Sequence, residues 1–266
     1  MGPINCSLPS LSTAALRTLV LVLVGVGFSA FGAATSVDGQ SIKDIPAPGK
    51  LVDIGGYRLH VHCLGTGNPT VVIDAGAGSW SSGWSQIQES LMARTRVCTY
   101  DRAGMGWSEA STRERTAAVM AEELHALLRG ANLSPPYVLV GHSYGGYIVR
   151  AFAQAHPADV AGVALVESAH EDQWIRLPSE VKEYVDASLF GLERAREMAT
   201  AGVLTPDLLP KDEYFGSSAA LQAAYDAELT APEHYAEVIA TLDGLDETSR
   251  QIRSAGSLGD VPLLVI

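Results

Sequence analysis

The residues with the clearest chemical capacity stand in the run Tyr137-Val-Leu-Val-Gly141-His142-Ser143-Tyr144-Gly145-Gly146. An apolar strand pattern ends in G-x-S-x-G, and a helical pattern follows at once. That sets Ser143 at the apex of a sharp strand-to-helix turn. Such a turn forces the serine into a strained conformation. Side chains two residues to either side would collide with neighbouring backbone, so both positions are glycine. The hydroxyl then projects at the carboxyl end of the strand, above a helix N-terminus whose free N–H groups favour a developing oxyanion. The chemistry this suits is nucleophilic attack by Ser143 on an acyl carbon.

Two further runs serve the same chemistry. Asp74-Ala75-Gly76-Ala77-Gly78 follows an earlier apolar strand pattern. Its small residues allow close approach of backbone to a substrate, and the N–H of Ala77 can pair with that of Tyr144 as an oxyanion hole. A dinucleotide fingerprint would need a third glycine where Ser81 stands. Tyr100-Asp101-Arg102-Ala103-Gly104-Met105-Gly106-Trp107-Ser108 reads as a turn after a strand, with Asp101 and Arg102 fixing loop geometry. It is not read as a phosphate loop, because no suitable helix follows directly.

The elements that must hold these runs alternate. Strand patterns at 51–54 and 57–64 flank Gly55-Gly56, a hairpin signal. Strands are predicted at 70–74, 96–100, 137–140 and 161–166, and helices at 80–94, 112–128 and 144–155. Strands that are apolar on both faces and alternate with helices predict an α/β fold: a mostly parallel sheet covered on both sides, with an antiparallel hairpin at its edge. From Glu171 to Gly259 the pattern becomes several short helices broken by prolines, and 261–266 (VPLLVI) is one more buried-strand pattern. The helical stretch 171–259 is therefore an insertion between strands of one sheet, whose core is 51–170 and 260–266.

The 266 residues carry 18 Lys+Arg against 30 Asp+Glu, a net charge of −12, with no basic stripe. A nucleic-acid or anionic-membrane partner is not expected, and a small-molecule substrate is. Near the N-terminus, Thr18–Val37 is uncharged, follows Arg17 and runs into small residues. Residues 1–34 are expected to be a secretory signal peptide, or alternatively a membrane anchor, with 35–50 an extended linker into the domain. The mature protein is then exported, secreted or periplasmic, without stable membrane association if the signal is cleaved. Cys6 would leave with the signal, and Cys63 and Cys98 remain as an even pair. No cofactor is implied. His60 and His62 lie two residues apart on one strand face, but a metal would need a third ligand the sequence does not identify, so no metal is expected. His125, His156 and His234 read as surface or packing residues. Trp80, Trp84, Trp107 and Trp174 suit either an apolar acyl pocket or helix docking. The sequence says nothing about oligomeric state.

Taken together, the opening hairpin, DAGAG, YDRAGMGWS, VGHSYGG and ALVESAHED resemble the α/β-hydrolase fold family. The resemblance is strong over 51–172 and weak over 261–266. It implies that 171–259 is the family's helical cap, and that the strands of Cys63 and Cys98 are neighbours, as a disulfide or a thiol pair. Related haloalkane dehalogenases and epoxide hydrolases carry Asp at the elbow. Ser143 instead favours hydrolysis of an ester, thioester, lactone or amide through an acyl-enzyme, an esterase-type activity. A non-catalytic binding protein on the same scaffold is the alternative.

Such a mechanism needs a histidine to accept the Ser143 proton and an acid to orient it. The family order is Ser, acid, His, and both partners would follow the strand that reaches Ile266. The chain is thus expected to be C-terminally truncated, with its last strand or strands missing, and nearly inactive. Two residues beyond Val166 are alternatives. Glu167 is a candidate acid, since some members place it there, and His170 is a candidate pocket residue or base at the functional edge of the sheet.

Overall fold

A computed structural model describes residues 41–209 and 218–266. The expected export segment 1–34 and the start of the linker lie outside the described residues. Among the described residues, no helix is long and apolar enough to cross a membrane.

Among the described residues, seven strands form one sheet: β1 (Lys50–Asp53), β2 (Arg58–Leu64), β3 (Thr70–Asp74), β4 (Val97–Tyr100), β5 (Tyr137–His142), β6 (Val160–Val166) and β7 (Leu263–Val265). Their order is β1-β2-β4-β3-β5-β6-β7. The β1–β2 and β2–β4 pairs are antiparallel, and every other pair is parallel. The hairpin turns at Gly55 and Gly56, both at positive φ. β3, β5 and β6 are rich in valine, whose branched side chains fit a pleated surface buried on both faces.

The described helices are α1 (Ser85–Leu91), α2 (Ala117–Gly130), α3 (Gly145–Ala155), α4 (Gln173–Arg176), α5 (Ser179–Thr200), α6 (Ala219–Leu229), α7 (Pro232–Asp243) and α8 (Leu245–Ala255), of which α1, α2 and α3 pack on the strands. The α3 face of Tyr147, Ile148 and Phe152 is fully buried with Leu124 and Leu127 of α2 and Leu59, Val72 and Leu139 of the sheet. A second apolar cluster joins α5, α6 and α7 to Trp80, Met105 and Trp107.

Several elements differ from their predicted form. The helix expected from Thr112 begins at Ala117, because Arg115 is buried on ion pairs with Glu123 (3.0 Å) and Glu237 (2.5 Å) and Thr116 is extended. The helix expected over 80–94 divides into a 3₁₀ turn at Ser81–Trp84 and the short α1. The insertion contains one helix of 22 residues, α5, rather than short helices alone. Its last helix, α8, packs on the main core through Ile252, and its Thr248 and Gln251 accept the N–H groups of Ala117 and Ala118. The described part of the stretch expected as an extended linker, 41–50, is folded onto the domain: Ile42 is buried in the second cluster, and Lys43 Nζ donates to the carbonyls of Gly106 and Ser108. β7 is shorter than the pattern over 261–266, and its side chains are exposed rather than buried, because it lies at the sheet edge beside β6 alone.

Cys63 and Cys98 face each other across the β2–β4 pair and are joined by a disulfide, 35 residues apart in sequence. Closing a loop of that size restricts the unfolded chain and stabilises the fold by roughly 3–4 kcal/mol in the entropic account. Denaturant unfolding followed with and without dithiothreitol should show a loss of about that size on reduction. An unchanged midpoint would mean that the bond does not stabilise the fold.

Candidate active site

Four loops meet at the carboxyl ends of parallel strands, where α/β sheets place their ligands. They follow β3 (74–78), β4 (101–108), β5 (Ser143) and β6 (167–170).

Ser143 sits between β5 and α3 with φ +49°. For a residue with a Cβ this left-handed conformation costs on the order of 1–3 kcal/mol, so surrounding bonds must impose it. The Ser143 N–H donates to the Val166 carbonyl (3.2 Å), and the Ser143 carbonyl accepts from Gly146 and Ala169 (both 3.0 Å). The glycines around it are required by contact rather than by φ. A Cβ on Gly141 would strike Val149 and the backbone of Gly145 and Gly146, one on Gly145 would strike the Asp74 carbonyl, and one on Gly146 would strike Ser168.

The loop after β3 lies directly beside the elbow: a Cβ on Gly76 would stand 3.3 Å from the Ser143 Cβ. Arg102 shapes this loop. Its Nη1 donates to Asp74 Oδ1 (2.7 Å) and the Ala75 carbonyl (2.6 Å), and its Nη2 donates to the Gly76 carbonyl (2.5 Å). Tyr100 donates to the other Asp74 oxygen (2.5 Å). Burial pushes the Asp74 carboxyl up from its ordinary range, and Arg102 and Tyr100 only partly offset this. With the two carbonyls drawn to Arg102, no described acceptor takes the N–H of Ala77, nor that of Tyr144 at the start of α3. The Tyr144 side chain is buried, with its hydroxyl 3.2 Å from Thr248 Oγ1.

Asp101 supports the neighbouring loop. It accepts from the backbone of Ser81 (2.7 Å) and Trp107 (3.0 Å), and His60 Nδ1 stands 2.8 Å away. Burial pushes its carboxyl up, but the bonds from His60 and Ser81 outweigh this and hold it below the usual range. The same loop docks on the helical insertion: Glu228 of α6 accepts the Gly106 N–H (2.9 Å) and stands 3.1 Å from His234 Nδ1. Both side chains are buried, so His234 is a core partner rather than a surface residue.

The candidates Glu167 and His170, and the neighbouring His142, are dispersed. His142 is half-buried edge-on to Trp84, and burial pushes its pKa down. Glu167, also at positive φ, is exposed, and its N–H donates to the Ile266 carbonyl. His170 turns to its own loop, where Nδ1 accepts the Asp172 N–H (3.0 Å) and lies 3.7 Å from Glu171, and it lines a surface pocket with Gln173, Arg176 and Leu177. No described side chain hydrogen-bonds the Ser143 hydroxyl. Trp80 and Trp107 are buried in the second cluster and serve packing, while Trp84 and Trp174 are half-buried. Sequence reasoning gave Arg102 a role in loop geometry but missed its partners Asp74 and Tyr100, and missed the Glu228–His234 pair. For the first group the available signal was polar residues at the ends of otherwise apolar strands.

Residues 68–206 match the model of the alpha/beta hydrolase fold family. Among curated proteins, the chain is 36% identical over 124 residues to the uncharacterized protein YqjL of Bacillus subtilis, covering 46% of this chain and 49% of that one. It is 37% identical over 128 residues to an AB hydrolase superfamily protein of Gibberella zeae, covering 47% and 39%. The matches span a fifth to about a half of the length of such relatives. An esterase from Exiguobacterium antarcticum shares the fold at TM-score 0.60 and 18% identity, over 82% of this chain and 80% of that one. With a family match over more than half its length and a serine elbow at the expected sheet edge, the chain belongs to the α/β hydrolase fold family.

Proposed function

We propose that this protein is a serine hydrolase that forms an acyl-enzyme on Ser143 with a small ester, thioester, lactone or amide. The observation that carries the proposal is the left-handed Ser143 at the mouth of the sheet, beside two N–H groups, of Ala77 and Tyr144, with no described acceptor. The Ser143 oxygen attacks the acyl carbon as its proton passes to a base. The carbonyl electrons move onto oxygen, where the N–H groups of Ala77 and Tyr144 stabilise the charge. Collapse expels the alcohol, thiol or amine, and water then releases the acid. A histidine oriented by a carboxylate is the expected base, with Glu167 as candidate acid. The helices of 171–259 serve as the cap over the site, and the apolar cluster they form with Trp80, Met105 and Trp107 supports that role. Export is part of the proposal, supported by the Cys63–Cys98 disulfide, a bond rare in reducing compartments.

A fluorophosphonate probe separates a hydrolase from a binding protein on the same scaffold. The chain should label above the level of Ser143→Ala, slowly if no base is close, and equal labelling of the two would overturn the proposal. Any turnover of p-nitrophenyl acetate should be lost in Ser143→Ala, whereas turnover that survives this substitution would count against Ser143 as the nucleophile.

Arg102 gives a second test. Arg102→Lys keeps the charge but loses the planar fork that holds two carbonyls at once, so Ser143 labelling should slow by about tenfold or more. Arg102→Met leaves Asp74 buried without its cation and should destabilise the fold by about 3–5 kcal/mol. Unchanged labelling in a folded Arg102→Lys protein would contradict the role given to this residue.

A further inference from the structure

Three side chains that play no part in the site above converge at the far end of α3. His125 lies on α2, His156 caps the end of α3, and Asp159 closes the 3₁₀ turn Pro157–Asp159 before β6. One donor atom from each lies within 4.8 Å of the others, and all three side chains are partly buried. The turn holds the last two at fixed spacing, since the Asp159 N–H donates to the His156 carbonyl (3.0 Å). His125 and His156 stack with ring centroids 3.8 Å apart, and His125 packs edge-on to Phe152 of the core.

We propose that His125, His156 and Asp159 form a binding site for a divalent transition-metal ion of the zinc type, distinct from the hydrolase site. Two donors bound tetrahedrally at 2.0–2.1 Å stand about 3.4 Å apart, and His125 Nε2 and Asp159 Oδ2 are 3.4 Å apart. Two imidazoles with one carboxylate suit zinc, nickel or copper rather than the oxygen-seeking magnesium or calcium. Convergence on one ion requires the partly exposed His156 ring to turn out of the stack, and water completes the coordination. Neutral rings are the ligand form. With 11 residues in α3, the site lies about 16 Å from the elbow, too far to act on a reacting acyl group. Its ion would instead clasp α2 to the turn that feeds β6.

Isothermal titration of the full, metal-stripped chain without an oligohistidine tag, using zinc chloride, tests this. A single equivalent should bind in the micromolar range, and thermal unfolding should shift upward with zinc. His125→Gln and Asp159→Asn, each shown to be folded by circular dichroism, should weaken binding on the order of tenfold or more, while His170→Gln should bind as the parent does. No binding up to millimolar zinc would overturn the proposal, as would binding untouched by both ligand variants or lost equally in His170→Gln. Cobalt in place of zinc should give absorption bands that disappear in Asp159→Asn. Bands that persist there would place the ion elsewhere.

Discussion

The bond network of Arg102 governs the candidate site. One guanidinium neutralises the buried Asp74 at the end of β3 and takes the carbonyls of Ala75 and Gly76. A bidentate planar cation can do this where a lysine ammonium cannot. The consequence is directional: with two successive carbonyls turned to Arg102, the following N–H of Ala77 has no acceptor among the described residues, next to the serine turn. A buried cation and anion cost desolvation and are only a modest source of stability. Their contribution lies in the loop conformation they impose.

The strain at Ser143 depends on the same neighbourhood. A serine at φ +49° persists because Val166 on one side and Gly146 and Ala169 on the other hold its backbone. The glycines at 141, 145 and 146 exist because the β3 loop, the helix start and Ser168 press against them. Each element leaves the space another needs. The loop after β4 extends this outward, since Asp101 secures it from within and Glu228 of α6 secures it from the helical side. The helical insertion and the loops at the strand ends are therefore joined through the loop after β4, with Lys43 and Ile42 strapping its outer edge.

Much of this was legible in residue order because the relevant physics is local. A glycine two residues either side of a serine, after a valine-rich strand, reports a backbone clash that involves only neighbours in sequence. The same holds for the Gly55-Gly56 turn and for the strand–helix alternation. Legibility failed where partners are distant. The start of α2 was placed five residues early because helical periodicity counts Thr112–Thr116 favourably, while the ion pairs of Arg115 with Glu123 and Glu237 take those residues out of the helix. The 41–50 stretch looked like a linker because its prolines and glycine suppress periodicity, although one buried isoleucine and one lysine suffice to fasten it.

The sequence by itself determined the α/β sheet, the serine elbow and the small-residue loop that faces it, since each follows from short-range sterics and hydrophobic period. Only the tertiary structure decided which polar and charged groups meet: Arg102 with Asp74, Glu228 with the Gly106 N–H and His234, and His125 with His156 and Asp159. These partners stand between 3 and 122 residues apart along the chain. Burial selects such pairs, because an ionised or polar group withdrawn from water must find its partner in whatever element the fold brings beside it.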